Sequence, residues 1–269
     1  MHSDEPEFTI RGVIRGFKIQ GRNARALMLR DMMVRYGREN IGFVWLILEP
    51  MILTVGVMIF WTITAGSTKH GVKVVEFILT GYMPLTLWRH LTNSMITLFR
   101  RSAGLLYHRT ISLLDLVYAK AALEFLATTM AFLVMWGVLY SIGFASGIAD
   151  LGTLMIGWFM MAWLAVGTGF IFAAGTEYSE TFERFIQPFQ YLSIPLSGAF
   201  TLVDWLPMWA QEALLLNPMT HCYEVFRAGF FGPTLTTHYS YVYFSAWAFA
   251  ILFVGIVLVD RTRDRVQLD

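Results

Sequence analysis

An all-α integral membrane protein is the fold class this sequence predicts, with six transmembrane helices, an N-terminal amphipathic interface helix and short re-entrant periplasmic helices between spans five and six. Three observations carry it. Hydrophobic residues make up 56% of the chain and charged residues only 14%, where a soluble domain holds about 25% charged residues. Six stretches reach or approach the roughly 20 mainly apolar residues that a helix needs to cross a bilayer. Lys and Arg, finally, gather in alternate connections between those stretches.

Residues 1–40 read as a cytoplasmic segment. From Ile10 to Met28, an apolar stripe (Ile10, Ile14, Phe17, Ala24, Met28) runs beside a basic one (Arg11, Arg15, Lys18, Arg22, Arg25) at spacings of three and four. That is the pattern of a helix lying in the membrane interface, with Gly21 as a place where it breaks into two pieces. The acidic start, Met1 to Glu7, and a first long apolar run beginning only near Ile41 lead us to expect no cleaved signal peptide. The membrane domain, residues 41–259, carries spans at Ile41 to Ile63, Val74 to Phe99, Ala121 to Ile142, Leu151 to Ala173, Phe185 to Phe200 and Tyr241 to Val259. The fifth is the shortest and contains Pro188 and Pro195, interruptions tolerated where protein or water satisfies the freed backbone, so it belongs beside the interior. Residues 260–269 are expected to form a cytoplasmic tail.

The charge asymmetry sets the orientation. Arg11 to Arg38, Arg100, Arg101, Arg109, Lys120, Arg184, Arg261, Arg263 and Arg265 fall on one side, and only Lys69, Lys73 and Arg227 on the other. Both termini are therefore expected in the cytoplasm. Between spans five and six, Asp204 to Ser240 is too long for a turn and too apolar for a free loop. Leu206, Trp209, Leu214, Leu215 and Leu216 precede Asn217-Pro218, and Phe226, Phe230 and Phe231 precede Gly232-Pro233. Two short helices parted at Asn217-Pro218, dipping into the outer leaflet, fit this pattern. His221, Glu224 and Arg227 supply the polar groups of that segment.

Motif scans exclude most chemistry. There is no phosphate-binding loop, no G-x-S-x-G elbow, no H-E-x-x-H helix and no D-x-D pair, and no cytoplasmic loop is long enough for a nucleotide-binding domain. The single cysteine, Cys222, has no partner in the chain, and the histidines show no ligand spacing. We expect no catalytic residue, no metal and no cofactor in this chain; any ATP and Mg belong to a separate ATPase. A net charge of +1 gives no reason to expect nucleic acid.

Two charges interrupt the apolar runs. Glu49 lies eight residues into the first span and Arg89 eleven residues before Arg100, so at about 1.5 Å per residue both sit roughly 12 to 17 Å deep. Intramembrane charges face a bundle interior or a water-filled cavity. Two readings stand open: a polar pathway with a hinge at Glu49-Pro50, or an interhelical salt bridge that fixes packing; His90 can extend either. Tyr82, Trp88, Trp163 and Tyr191 are interior aromatics able to stack on a sugar, against the ordinary role of membrane aromatics as interfacial anchors. Ala165, Gly169 and Ala173 make a small-residue face suited to close packing inside the monomer. The connection Arg100 to Lys120 is amphipathic, and Leu105, Leu106 and Tyr107 suit a docking knob for a soluble partner or a helix lying flat on lipid.

The segment Arg35-Tyr36-Gly37-Arg38-Glu39-Asn40-Ile41-Gly42 leading to Trp45 and Leu48-Glu49-Pro50 resembles the opening of the permease subunits of ABC transporters that export capsular polysaccharide, the KpsM type. Tyr107-His108-Arg109 with Leu114-Asp115, Gln187-Pro188 through Pro195-Leu196-Ser197-Gly198, and Asn217-Pro218-Met219-Thr220-His221 with Glu224 and Arg227 are similar to the same family over nearly the whole chain. The resemblance implies a homodimeric six-span permease in the bacterial inner membrane, working with two copies of a cytoplasmic ABC ATPase. A channel at the dimer interface would pass a lipid-linked acidic polysaccharide to periplasmic and outer-membrane export proteins. Leu105, Leu106, Tyr107, His108 and Arg109 would couple to the ATPase. A permease for O-antigen or teichoic acid is the nearest alternative, and a membrane-embedded glycan-modifying enzyme a more distant one.

Overall fold

One helix, α7 (Leu151–Tyr178), is the axle of the bundle, packing against α11 (Tyr241–Val266), α10 (Pro218–Phe231) and α3 (Val74–Met95). Small residues make this possible. A Cβ on Gly157 would stand 2.5 Å from the Phe226 nitrogen, and one on Gly229 would stand 2.1 Å from the Leu154 nitrogen, so α7 and α10 meet backbone to backbone. Ala165 and Ala173 are wholly buried, and Gly169 abuts Met95 of α3. The small-residue face of the fourth span therefore serves contacts within the chain.

The computed structural model describes residues 21–22, 25–33, 41–69, 71–106 and 112–266. Its elements follow in order: α1 (25–33), α2 (Ile41–Ala65), a hairpin of β1 (Thr68–Lys69) and β2 (Val72–Lys73) in the register Thr68 to Lys73, then α3. After α3 come α4 (Leu98–Arg101), α5 (Ala103–Leu106), α6 (Leu113–Ser141), α7, α8 (Glu180–Ser193), a 3-10 turn at Val203–Trp205, α9 (Met208–Leu215) and α10. A second 3-10 turn at Gly232–Thr234 leads to α11. The part of the expected interface helix before residue 21 lies outside the described residues, as does residue 70.

Among the described residues, four helices are long and apolar enough to cross a membrane: Ile47–Thr64, Leu113–Ser141, Leu151–Tyr178 and Tyr241–Thr262. These coincide with the expected first, third, fourth and sixth spans. The expected second span is α3, whose 22 residues give about 33 Å. It ends at Met95, where Thr97 takes a left-handed φ of 55° and starts the short α4. The expected fifth span holds α8, which stops at Ser193 before a run of turns. The third begins earlier than its apolar run suggests, because Ser112 and Asp115 form a reciprocal capping box that starts α6 at Leu113. Asn217 caps α10 through the Met219 N–H, with Pro218 at its first position. The expected break between two short helices is thus where that dipeptide sits.

The core is aromatic at the α6–α7–α10 junction. Phe132 stacks on Trp158 at 5.3 Å, and Phe226 meets both rings at 5.5 Å. The Trp158 indole N–H donates to the Thr129 hydroxyl at 2.9 Å, so its polar atom is satisfied in the apolar interior. By contrast α2 turns Ile52, Leu53, Ile59, Phe60 and Ile63 outward, as α8 does Phe185, Phe189, Tyr191 and Leu192.

Candidate functional site

Among the described residues a polar seam runs through the apolar bundle where α8 lies antiparallel to α3 and α4. Ser179 begins α8 by accepting the Phe182 N–H, while its own N–H closes the end of α7 on the Gly175 carbonyl. Polar side chains then recur along one face at Glu183, Gln187 and Gln190, the spacing of neighbours on a helix surface. Thr92 and Asn93 answer from α3. Gln190 donates to the Thr92 hydroxyl at 3.0 Å and Gln187 to the Asn93 amide oxygen at 3.3 Å. Above them the Arg89 guanidinium lies 5.2 Å over the Tyr191 ring. Below them Arg100 reaches Glu183 at 3.2 Å. As the first partner ascends through 89, 92, 93 and 100, the second descends through 191, 190, 187 and 183.

Arg100 also closes the lower end of the seam onto α7. It donates to the Thr176 carbonyl, an otherwise open acceptor in the last turn of that helix, and pairs with Glu177 at 3.5 Å. The Thr97 N–H, freed by the break after α3, donates to the Thr176 hydroxyl at 3.3 Å.

The sequence-predicted residues are placed as follows. Glu49 sits on the exposed side of α2, and among the described residues no ion pair joins it to Arg89. Arg89 faces Tyr191, and His90 turns to Glu124 of α6, with 3.6 Å between Nδ1 and the carboxylate. Pro50 is buried within an unbroken α2, its carbonyl accepting the Thr54 hydroxyl at 2.7 Å. Tyr82 is half-buried two turns before Arg89 on α3, whereas Trp88 is a core residue 3% exposed. Trp163 packs edge-on against Phe249 and Phe244 of α11. The seam therefore takes up Arg89 and Tyr191 from the candidates. Leu105 and Leu106 end α5, while Tyr107, His108 and Arg109 lie outside the described residues.

Asn217, Pro218, His221, Glu224 and Arg227 come together on α10, where their polar atoms hold backbone. Asn217 also donates to the Leu196 carbonyl at 2.7 Å. Ser240 N–H donates to His221 Nδ1 at 3.1 Å, which leaves Nε2 as the donor to the Leu215 carbonyl at 2.9 Å. Burial accordingly pushes the imidazole below its usual range. Glu224 accepts the His238 N–H at 2.9 Å and the Val203 N–H at 3.4 Å, and burial raises its carboxyl despite them. Arg227, counted from sequence among the loop cations, is wholly buried and donates to the carbonyls of Gly198, Ala199 and Thr201. Desolvation lowers it to about 10, so it remains a cation at neutral pH.

Sequence reasoning missed Thr92, Asn93, Glu183 and Gln190, and named Gln187 only within the Gln187-Pro188 motif. Their signal was available as polar residues three and four apart within otherwise apolar runs.

The ABC-2 type transporter family model matches residues 22–231, which takes in every rung of the seam. The chain belongs to the ABC-2 type transporter family. This ABC-2 transporter chain is similar along its length to the capsule polysaccharide export inner-membrane protein CtrC of Neisseria meningitidis serogroup A, at 35% identity over 93% of this chain and 94% of CtrC. The corresponding protein BexB of Haemophilus influenzae is 34% identical over the same shares. The polysialic acid transport protein KpsM of Escherichia coli is 24% identical over 94% of this chain and 98% of its own. The resemblance carried by Arg35 to Pro50 and the later motifs thus holds at the level of the family.

Proposed function

We propose that this chain is the permease subunit of an ATP-driven exporter that moves lipid-linked acidic capsular polysaccharide from the cytoplasm to the periplasm. The carrying observation is the 35% identity to a capsule polysaccharide export inner-membrane protein over 93% of the chain. In this reading α2, α3, α6, α7, α8 with the turns to Phe200, and α11 are the six spans, with both termini cytoplasmic and α9 and α10 re-entrant from the periplasmic side. Two copies enclose the channel, and the outward apolar faces of α2 and α8 supply surface for that pairing. Two ATPase subunits bind the Arg100 to Lys120 connection, with Leu105, Leu106, Tyr107, His108 and Arg109 as coupling residues, and carry the ATP and Mg. Arg89 and Tyr191, with Tyr82 nearby, offer a cation and a sugar-stacking ring to an acidic glycan. Periplasmic and outer-membrane export proteins continue the path.

Cells whose only copy is deleted should lose surface acidic glycan, measured by cationic-dye binding to intact cells, and retain it inside. Tagged protein purified from native membranes should bring down an ATPase chain. Surface glycan unchanged by the deletion would refute the reading.

A further inference from the structure

Glu49 is the only charged residue of α2, and it stands on the side of that helix that the chain leaves open. Trp45, Leu48, Ile52 and Leu53 are exposed around it, within or beside the apolar stretch Ile47–Thr64. A carboxylate in such a place needs cover, because intramembrane charges face protein or a water-filled cavity rather than lipid. Its neighbours are apolar, so the cover that fits is a second protein surface carrying a cation.

Arg89 is the matching half of that pair. Among the described residues it has an aromatic partner, the Tyr191 ring at 5.2 Å, and no carboxylate pairs with it. His90 beside it is taken up by Glu124, and Arg100 by Glu177 and Glu183. The β1–β2 hairpin joins α2 to α3, so distance from it gives depth on both helices. Glu49 lies about 24 Å from Ala65 and Arg89 about 22 Å from Val74, at about 1.5 Å per residue. They stand at one level yet do not meet inside the chain. A two-fold axis along the bundle preserves that level while it sets the α2 of each copy against the α8 side of the other. Phe185, Phe189 and Leu192 make that side of α8 outward and apolar, as α2 is. Trp61 of α2 stacks on Phe200, just past α8, at 6.0 Å, so the two faces border one another on the molecule. Arg184, the exposed cation of α8, stands about 10 Å from Tyr191 along that helix and so at another level.

We propose that Glu49 of each copy pairs with Arg89 of the other, so that the Arg89–Tyr191 site is complete only when two copies meet. This rests on the two-copy exporter reading above and names the residues that join its halves. A guanidinium carries more N–H groups than one carboxylate accepts, so the paired Arg89 can still meet an acidic glycan. The test uses full-length chains in cells with the partner ATPase, co-expressed under two tags and extracted in mild detergent, with capture by one tag and detection by the other. Two Glu49→Arg copies, or two Arg89→Glu copies, place like charges together and should capture each other about tenfold less than wild-type copies do. A Glu49→Arg copy mixed with an Arg89→Glu copy should capture at close to the wild-type level, because both pairs in that dimer are again of opposite charge. A contact within one chain predicts no such recovery. A second measurement needs no reversed charge: Cys222 is buried, so mild oxidation of a Glu49→Cys copy mixed with an Arg89→Cys copy should give a disulfide-linked dimer bearing both tags, and either copy mixed with wild type should not. Mixed capture no better than capture between like variants, or absence of the doubly tagged disulfide dimer, overturns the pair. Surface glycan unchanged by deletion removes the exporter reading instead, whatever the copies capture.

Discussion

The guanidinium carbon of Arg227 lies 4.6 Å above the ring of Phe77, in a site from which solvent is wholly excluded. Two neighbours explain how a cation is kept there. Three carbonyls of the Gly198–Thr201 turn accept its N–H groups, and Gly81 leaves the room, since a Cβ at that position would stand 2.1 Å from the Ala199 oxygen. Arg227→Met should therefore strand three acceptors and cost about 3–5 kcal/mol, near the figure for breaking a buried charge network. Arg227→Lys should fall between, keeping the charge but not the fork of donors. Thermal unfolding in detergent, followed by size-exclusion chromatography, measures the order wild type, Lys, Met.

The glycines divide by what stands opposite them. Gly229→Ala and Gly157→Ala force a methyl into backbone atoms of the facing helix at 2.1 and 2.5 Å, and should cost about 1–3 kcal/mol or more each. Gly56→Ala and Gly137→Ala meet nothing within 4 Å. They should be neutral or stabilising by up to about 1 kcal/mol, because alanine favours the helix. The same unfolding assay on all four variants checks the contrast, and equal effects would remove the close approach of α7 and α10.

How much of this was legible depended on what each signal reports. Apolar runs located α2, α6, α7 and α11, since length and hydropathy are what a bilayer selects. Asn217-Pro218 located the break before α10 because cap and first-turn proline act locally. The Ser112–Asp115 box was equally local, yet it lay within the amphipathic stretch Arg100 to Lys120 that read as a connection. The expected meeting of Glu49 and Arg89 came from equal depth, which fixes height along a helix but not direction around it. Glu49 faces outward, and Arg89 faces Tyr191. Arg227 was misassigned for a related reason: counting cations between spans treats each as a solvated loop charge, and only the carbonyls of a turn far away in sequence reveal its role. The α3–α8 seam needs a pairing between two helices about a hundred residues apart, which no single-helix pattern contains.

His221 gives a pH signature. It is held neutral by accepting the Ser240 N–H, and burial depresses its pKa from 6.5. A group whose folded pKa lies below its unfolded value leaves the unfolded state with more bound protons as the medium acidifies. Its contribution to stability is thus complete above pH 6.5 and declines as pH falls below that value. Unfolding midpoints taken between about pH 7.5 and about 5.5 should drop for wild type and drop less for His221→Gln, whose amide can still accept and donate but does not titrate. Glu224, one turn away, is common to both proteins and cancels in the comparison.

The remaining prediction concerns α1. Lys120 of α6 is 9% exposed and pairs with Asp31 of α1, which is 34% exposed. The pair stands beside a cleft lined by Leu27, Met28, Leu98, Ser102 and Leu116, so the N-terminal helix is fastened to the beginning of α6 next to α4. Lys120 is buried, but the Asp31 carboxylate that Lys120→Met leaves behind reaches solvent, so the substitution should cost only about 1 kcal/mol of global stability. Its local effect should be larger, because the pair fastens a short helix to α6. Hydrogen exchange of residues 25–33 in detergent should accelerate severalfold in Lys120→Met and in Asp31→Asn, with α7 unchanged. The exchanged pair, Asp31→Lys with Lys120→Asp, should restore most of the protection. Protection that survives both single substitutions would show that Leu27 packing alone retains the helix.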